Sequence, residues 1–167
     1  MLRAMTVLAA FGGCTLAGLR ASQRLRARRD VLRELEAAVR SLLLGVRYTG
    51  RPVWELLRRC GGDRTRALFL AAAGAAEAGA RMDEAFLAAG AETGLLADLT
   101  EGDRRLMADF FAMLGRSGRQ AQQESGERIL EELSGNQLEA AAVYAGKGRV
   151  YRAMGALTGA GVAILLL

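Results

Sequence analysis

Two cysteines, one lysine and no histidine bound the chemistry open to this 167-residue sequence. Histidine is the usual general base and metal ligand near neutral pH, so its absence removes histidine-based triads and histidine metal sites. Cys14 and Cys60 are too few for a four-thiolate zinc site. They also fall in segments assigned below to different sides of a membrane boundary, which argues against a disulfide. Cys60 precedes Gly61-Gly62 and would need Arg58, Arg59 or a helix terminus to activate its thiol, so it reads as a structural residue. Gly146-Lys147-Gly148 lacks the earlier glycine and the following Ser or Thr of a phosphate-binding loop. The carboxylate pairs Glu34/Glu36, Asp83/Glu84 and Glu131/Glu132 are one or two residues apart, so neither pair member shares a helical face with the other. They read as solvated surface. No catalytic, cofactor-binding or metal site is expected, and no small-molecule substrate.

The elements that would position these residues are helices. Only 5% of the chain is aromatic, there is one proline, and β-branched runs are absent, so an all-α fold is expected. From Asp30, apolar residues fall at Val31, Leu32, Leu35, Ala38, Val39, Leu42, Leu43 and Val46, the spacing of an amphipathic helix ending near Tyr48-Thr49-Gly50. Pro52 suits the first turn of a second helix bearing Val53, Trp54, Leu56 and Leu57, with Trp54 as a core anchor and Gly61-Gly62 as the stop. Asp63 is expected to cap a third helix through about residue 78, and a fourth runs from Met82 to about Leu96. Thr100 and Asp103 make a capping-box start for a fifth ending near Gly115, and Ser117 with Gln120 does the same for a last, long helix. That last helix carries Ile129, Leu130, Leu133, Leu138 and Val143 as apolar positions, with Gly135-Asn136 as its weakest point. Short connections predict an antiparallel bundle of about six helices.

Hydrophobic residues make up 51% of the chain and charged residues 25%, a mixture that must be segregated. The apolar excess lies at the ends. Ala4 to Leu19 is uncharged between Arg3 and Arg20, and Met154 to Leu167 is uncharged throughout. Both are shorter than the roughly 20 residues that cross about 30 Å of hydrocarbon, a shortfall that snorkelling arginines and tilt reduce. The reading is therefore an N-terminal transmembrane helix at 1–21, a cytoplasmic helical domain at 22–150 and a C-terminal transmembrane segment at 151–167, the first and last helices of the bundle extending into the membrane. Arg20, Arg24, Arg26, Arg28, Arg29 and Arg33 follow the first run, and Lys147, Arg149 and Arg152 precede the second. By the positive-inside rule the middle segment is cytoplasmic. Ala10, Cys14 and Gly18, and then Gly155 and Gly159, give each end a small-residue face suited to helix packing in lipid. The competing readings are a secreted or lipid-anchored helical binding protein and a soluble, basic nucleic-acid binder. Clustering of the basic residues at the membrane boundaries, with few aromatics to stack on bases, counts against nucleic acid.

Read together, these segments resemble the stage III sporulation protein AB family of endospore-forming bacteria. Tyr48-Thr49-Gly50-Arg51-Pro52-Val53-Trp54-Glu55 is similar to that family's Tyr-x-x-x-Pro-Leu-x-Glu stretch. Leu114-Gly115-Arg116-Ser117-Gly118-Arg119-Gln120 is similar to its Leu-Gly-x-Ser-Asp turn, with Gly118 where Asp is usual, and Tyr151-Arg152-Ala153-Met154-Gly155 resembles its C-terminal segment. The resemblance implies a sporulation membrane protein whose cytoplasmic bundle is similar to the platform protein of type II secretion and type IV pilus machines. It further implies a place in the outer forespore membrane, facing the mother-cell cytoplasm, with the sporulation AA ATPase and other proteins of the stage III channel complex as partners. Arg116, Ser117, Arg119 and Gln120 are then the candidate partner surface, Ser117 serving first as a helix cap.

Overall fold

The computed structural model describes the backbone of residues 2–116 and 119–166; around residues 115–123 and in parts of both terminal stretches the side chains lie outside that description. Among the described residues the chain is all-helical, as its composition predicts. Six α-helices follow in order: α1 (Leu2–Tyr48), α2 (Val53–Leu57), α3 (Arg66–Glu77), α4 (Met82–Glu92), α5 (Glu101–Arg116) and α6 (Arg119–Leu166). A short 3-10 turn, Leu95–Asp98, separates α4 from α5. The chain divides into two compact units, Asp30–Leu138 and a second formed by Met1–Arg29 with Glu139–Leu167.

In the central unit the stripe of α1 is buried as its spacing requires. Val31, Leu32, Leu35, Val39 and Leu42 are fully enclosed, while Leu43 and Val46 at the stripe's edge are half-buried. The shorter helices add four buried phenylalanines to the core. Phe86 of α4 stacks on Phe111 of α5 at 4.6 Å, Phe110 meets Phe111 edge-on at 5.6 Å, and Phe69 of α3 lies 6.3 Å from Phe111. Such offset and edge contacts add to the large area each ring removes from water. Met107 and, from α6, Ile129 and Leu133 complete the core. At Gly126 the helices come so close that a Cβ would stand 2.3 Å from a methyl of Leu43. The α3–α4 turn closes on Gly79 at φ 88°, with the amide of Ala80 donating to the carbonyl of Ala75 at 3.0 Å, an αL cap that glycine adopts without steric cost.

Several local expectations are corrected. α4 stops at Glu92 rather than near Leu96, because Gly94 turns left-handed at φ 69° and the chain continues as the 3-10 turn. Trp54 is half-buried, not a core anchor: only Leu56 and Leu57 of α2 face inward, and the Arg58 guanidinium stands 5.4 Å from the indole centre. Leu138 is 65% exposed, although its spacing continues the apolar series of α6. Gly135 and Asn136 do not interrupt α6.

The terminal unit pairs the start of α1 with the end of α6. Ser22 and Gly148 are buried against each other, a Cβ on Gly148 falling 3.5 Å from the Ser22 hydroxyl. Arg28 reaches Glu139 at 3.8 Å and the Arg29 guanidinium lies 4.6 Å over the Tyr144 ring. From Ser22 to Arg28 and Arg29 on α1, the partners on α6 step back from Gly148 to Glu139 and Tyr144, so these segments run antiparallel. Among the described residues no helix is long and apolar enough to cross a membrane, and much of the two expected spanning segments, 1–21 and 151–167, lies outside the described residues.

Candidate functional site

The best-developed polar cluster is built around Glu34, which local spacing assigns to solvated surface. Glu34 lies on the border of the buried stripe of α1, between Val31 and Ala38, and so points along the protein rather than away from it. Its Oε2 accepts three hydrogen bonds from the start of α3: from the amides of Arg64 at 3.1 Å and Thr65 at 3.0 Å, and from the Thr65 hydroxyl at 2.9 Å. The same hydroxyl accepts from the Gly62 amide at 3.0 Å. Thr65 is completely buried, so no water can replace the partners of its amide and hydroxyl. A negative charge at a helix N-terminus satisfies orphan amides and meets the positive end of the helix dipole. Glu34 thus performs the task expected of Asp63, whose position is two residues too early: the N-cap is Thr65, α3 begins at Arg66 and the Arg66 amide bonds the Gly62 carbonyl.

Two glycines make this approach possible. A Cβ on Gly61, at φ 94°, would stand 2.9 Å from the Arg66 Cα, and one on Gly62 would stand 2.5 Å from the Glu34 carboxyl carbon. Beside them a groove of about 240 Å³ is lined by Glu34, Ser41, Arg59 and Cys60. The Cys60 thiol is buried, lies 3.9 Å from the Ala38 carbonyl, and is pushed by that burial from an ordinary 9.0 to about 11. A protonated, enclosed thiol is a poor nucleophile, in keeping with its reading as a structural residue.

A second cluster joins α5 to α6. The Thr100 amide donates to Asp103 Oδ2 at 3.0 Å and the Asp103 amide donates to the Thr100 hydroxyl at 3.2 Å, the reciprocal box that the sequence predicts. Asp103 is fully buried, and Asn136 Nδ2 donates to its other oxygen at 3.0 Å. The cap is therefore also an interhelical tie. Among the described residues no group of three or more Cys, Asp or Glu is placed to hold a metal ion.

Much of the basic surface of the central unit is matched by acid. Arg40 pairs with Glu36, Arg51 and Arg59 with Glu55, Arg58 with Glu77, Arg64 with Asp98, and Arg104 and Arg105 with Glu101. Arg81 pairs with Asp83 at 2.6 Å, and the hydrogen bond from that guanidinium holds the Asp83 carboxyl below its usual range.

The candidate partner surface falls where the side chains are not described. Arg116 ends α5 and Arg119 opens α6, but Ser117 lies outside the described residues, as do the side chains of Arg116, Arg119 and Gln120. Of the small-residue faces, Gly18 is half-buried, whereas the side chain of Cys14 and the surroundings of Ala10, Gly155 and Gly159 lie outside the description.

Comparison with curated proteins and with solved structures gives no match. A family model described as stage III sporulation protein AB matches residues 3–167, from the first uncharged run through both polar clusters to the last, and the chain belongs to that family.

Proposed function

We propose that this chain is a non-enzymatic, membrane-attached component of endospore formation that couples a partner ATPase to a secretion-like channel complex. Family membership over residues 3–167 is the observation that carries the sporulation role. The polar side chains with the most developed geometry, Glu34, Thr65, Asp103 and Asn136, are engaged in joining helices. That use of buried polar groups suits a rigid coupling body better than a reaction site. The two uncharged end segments, each bordered by arginine on the side of the central unit, support attachment to a membrane with the central unit in the mother-cell cytoplasm. Each is short for a span alone, so the attachment proposed is by both ends together, with local thinning or tilt making up the difference. The Arg116 to Gln120 turn is the surface offered to the sporulation AA ATPase.

A reporter inserted near Gly62 tests this reading. Cytoplasmic reporter activity in the mother cell, resistance of the full-length chain to alkaline extraction, and a sporulation arrest after engulfment on deletion are the expected results. An external reporter at Gly62 would sink it.

A further inference from the structure

We infer that the terminal unit carries a binding band for anionic phospholipid headgroups, formed by Arg20, Arg24 and Lys147. The inference rests on the membrane attachment proposed above and adds a lipid preference to it. On α1 the exposed residues Leu16, Leu19, Arg20, Gln23 and Arg24 form one continuous stripe at helical spacing that changes from apolar to basic along its length, and Gly13, Ala17 and Arg26 are exposed as well. On α6 the exposed stripe Lys147, Val150, Tyr151, Met154 and Leu157 makes the same change in reverse order. Because the two segments run antiparallel and meet at Ser22 and Gly148, the apolar ends of both stripes lie on one side of that contact and the charges gather about it.

Five basic side chains of this unit are divided in use. Arg28 and Arg29, farther from the apolar ends, are turned to Glu139 and Tyr144 within the protein. Arg20, Arg24 and Lys147 stand exposed at the border with leucine and tyrosine side chains. An apolar surface bordered by an exposed basic band, with Tyr151 near the border, fits an anionic bilayer surface: hydrocarbon receives the apolar residues and phosphate the cations. Polynucleotide would match the charge but would leave Leu16, 56% exposed, and Leu157, 71% exposed, against water.

The test uses the full-length chain made by cell-free synthesis in the presence of phosphatidylcholine vesicles, with and without phosphatidylglycerol, and read by flotation at two salt concentrations. Wild type should favour the phosphatidylglycerol vesicles, and salt should weaken that preference. The triple variant Arg20→Gln, Arg24→Gln, Lys147→Gln should lose it, by about fivefold per charge and on the order of 100-fold in all. Circular dichroism of the floated variant checks that its helicity is kept. Equal flotation on both lipids, or an unchanged preference in the triple variant, overturns the headgroup band while leaving membrane attachment intact. No flotation on either lipid overturns both. Tighter retention on RNA than on vesicles, released by the same substitutions, assigns the band to nucleic acid and overturns the inference.

Discussion

Replacing Glu34 by alanine should destabilise the central unit by about 3 kcal/mol. Of the three hydrogen bonds accepted by Oε2, the one from the Arg64 amide is at an exposed residue, where water replaces the carboxylate at little cost. The amide and hydroxyl of Thr65 are completely buried, and each then loses a charged acceptor. Bonds of that kind contribute about 1.5–3 kcal/mol, and because Glu34 is half-exposed the lower figure applies to both. For a chain of this size that lowers the melting temperature by roughly 6–12 °C. The sharper test is Gly62→Ala. Gly62 is outside the left-handed region, so an alanine there suffers no backbone strain, and the obstacle is a Cβ 2.5 Å from the Glu34 carboxyl carbon. Gly62→Ala alone should displace the carboxylate and cost about 2 kcal/mol after the entropy gained by removing a glycine. In a Glu34→Ala background the same substitution should be neutral or slightly stabilising. Denaturant titration of the four proteins in one mild detergent, followed by circular dichroism, measures the coupling. If the two substitutions add to within about 0.5 kcal/mol, the clamp is not the source of stability there and the reasoning fails.

Further outcomes follow from other contacts and from the sequence. Asp103→Ala should cost about 2–4 kcal/mol and Asn136→Ala about 1–2, with the double variant losing less than their sum, since both break one buried tie; chemical denaturation of the four proteins reads this. The Cys60 thiol is held protonated to about 11, so its contribution to stability is complete below pH 9.0 and is lost as pH rises toward 11. In a Cys14→Ala background, stability above pH 9 should therefore fall by up to about 2–3 kcal/mol more with Cys60 than with Cys60→Ala. With Ser117 read from its S-x-x-Q spacing as a helix cap, Ser117→Ala should cost about 1 kcal/mol of stability. Arg119→Glu should weaken capture of the sporulation ATPase with helicity unchanged, and equal capture would remove that arginine from the partner surface.

What was legible in the sequence was local. The buried stripe from Val31 to Leu42 and the Thr100–Asp103 box are set within a few residues, and each takes its expected form, whereas α2 ends at Leu57 and not at the expected Gly61-Gly62 stop. The Glu34 clamp joins residues about thirty apart, and nothing nearby separates Glu34 from Glu36, which pairs with Arg40 on the surface. The available signal was positional: Glu34 borders the buried stripe, and Thr65 follows two glycines that leave room for a side chain from elsewhere. Asp63 was misleading because a capping residue type says nothing about where the helix begins. Leu138 keeps its periodic place on α6 yet is exposed, since spacing describes a face and not what covers it. Ser117 lies outside the described residues, so the partner turn rests on resemblance.

The half-buried indole of Trp54 has a practical consequence for optical work on this protein. It is the sole tryptophan of the sequence, and the guanidinium over it is also the ion-pair partner of Glu77 at the far end of α3. Emission from an unlabelled chain therefore reports on one joint, the seating of α2 against α3, and salt that loosens the Arg58–Glu77 pair should alter its intensity before the phenylalanine core melts. Binding of a partner that shifts this joint can be followed by intrinsic fluorescence, with Glu77→Gln separating the local optical change from global unfolding.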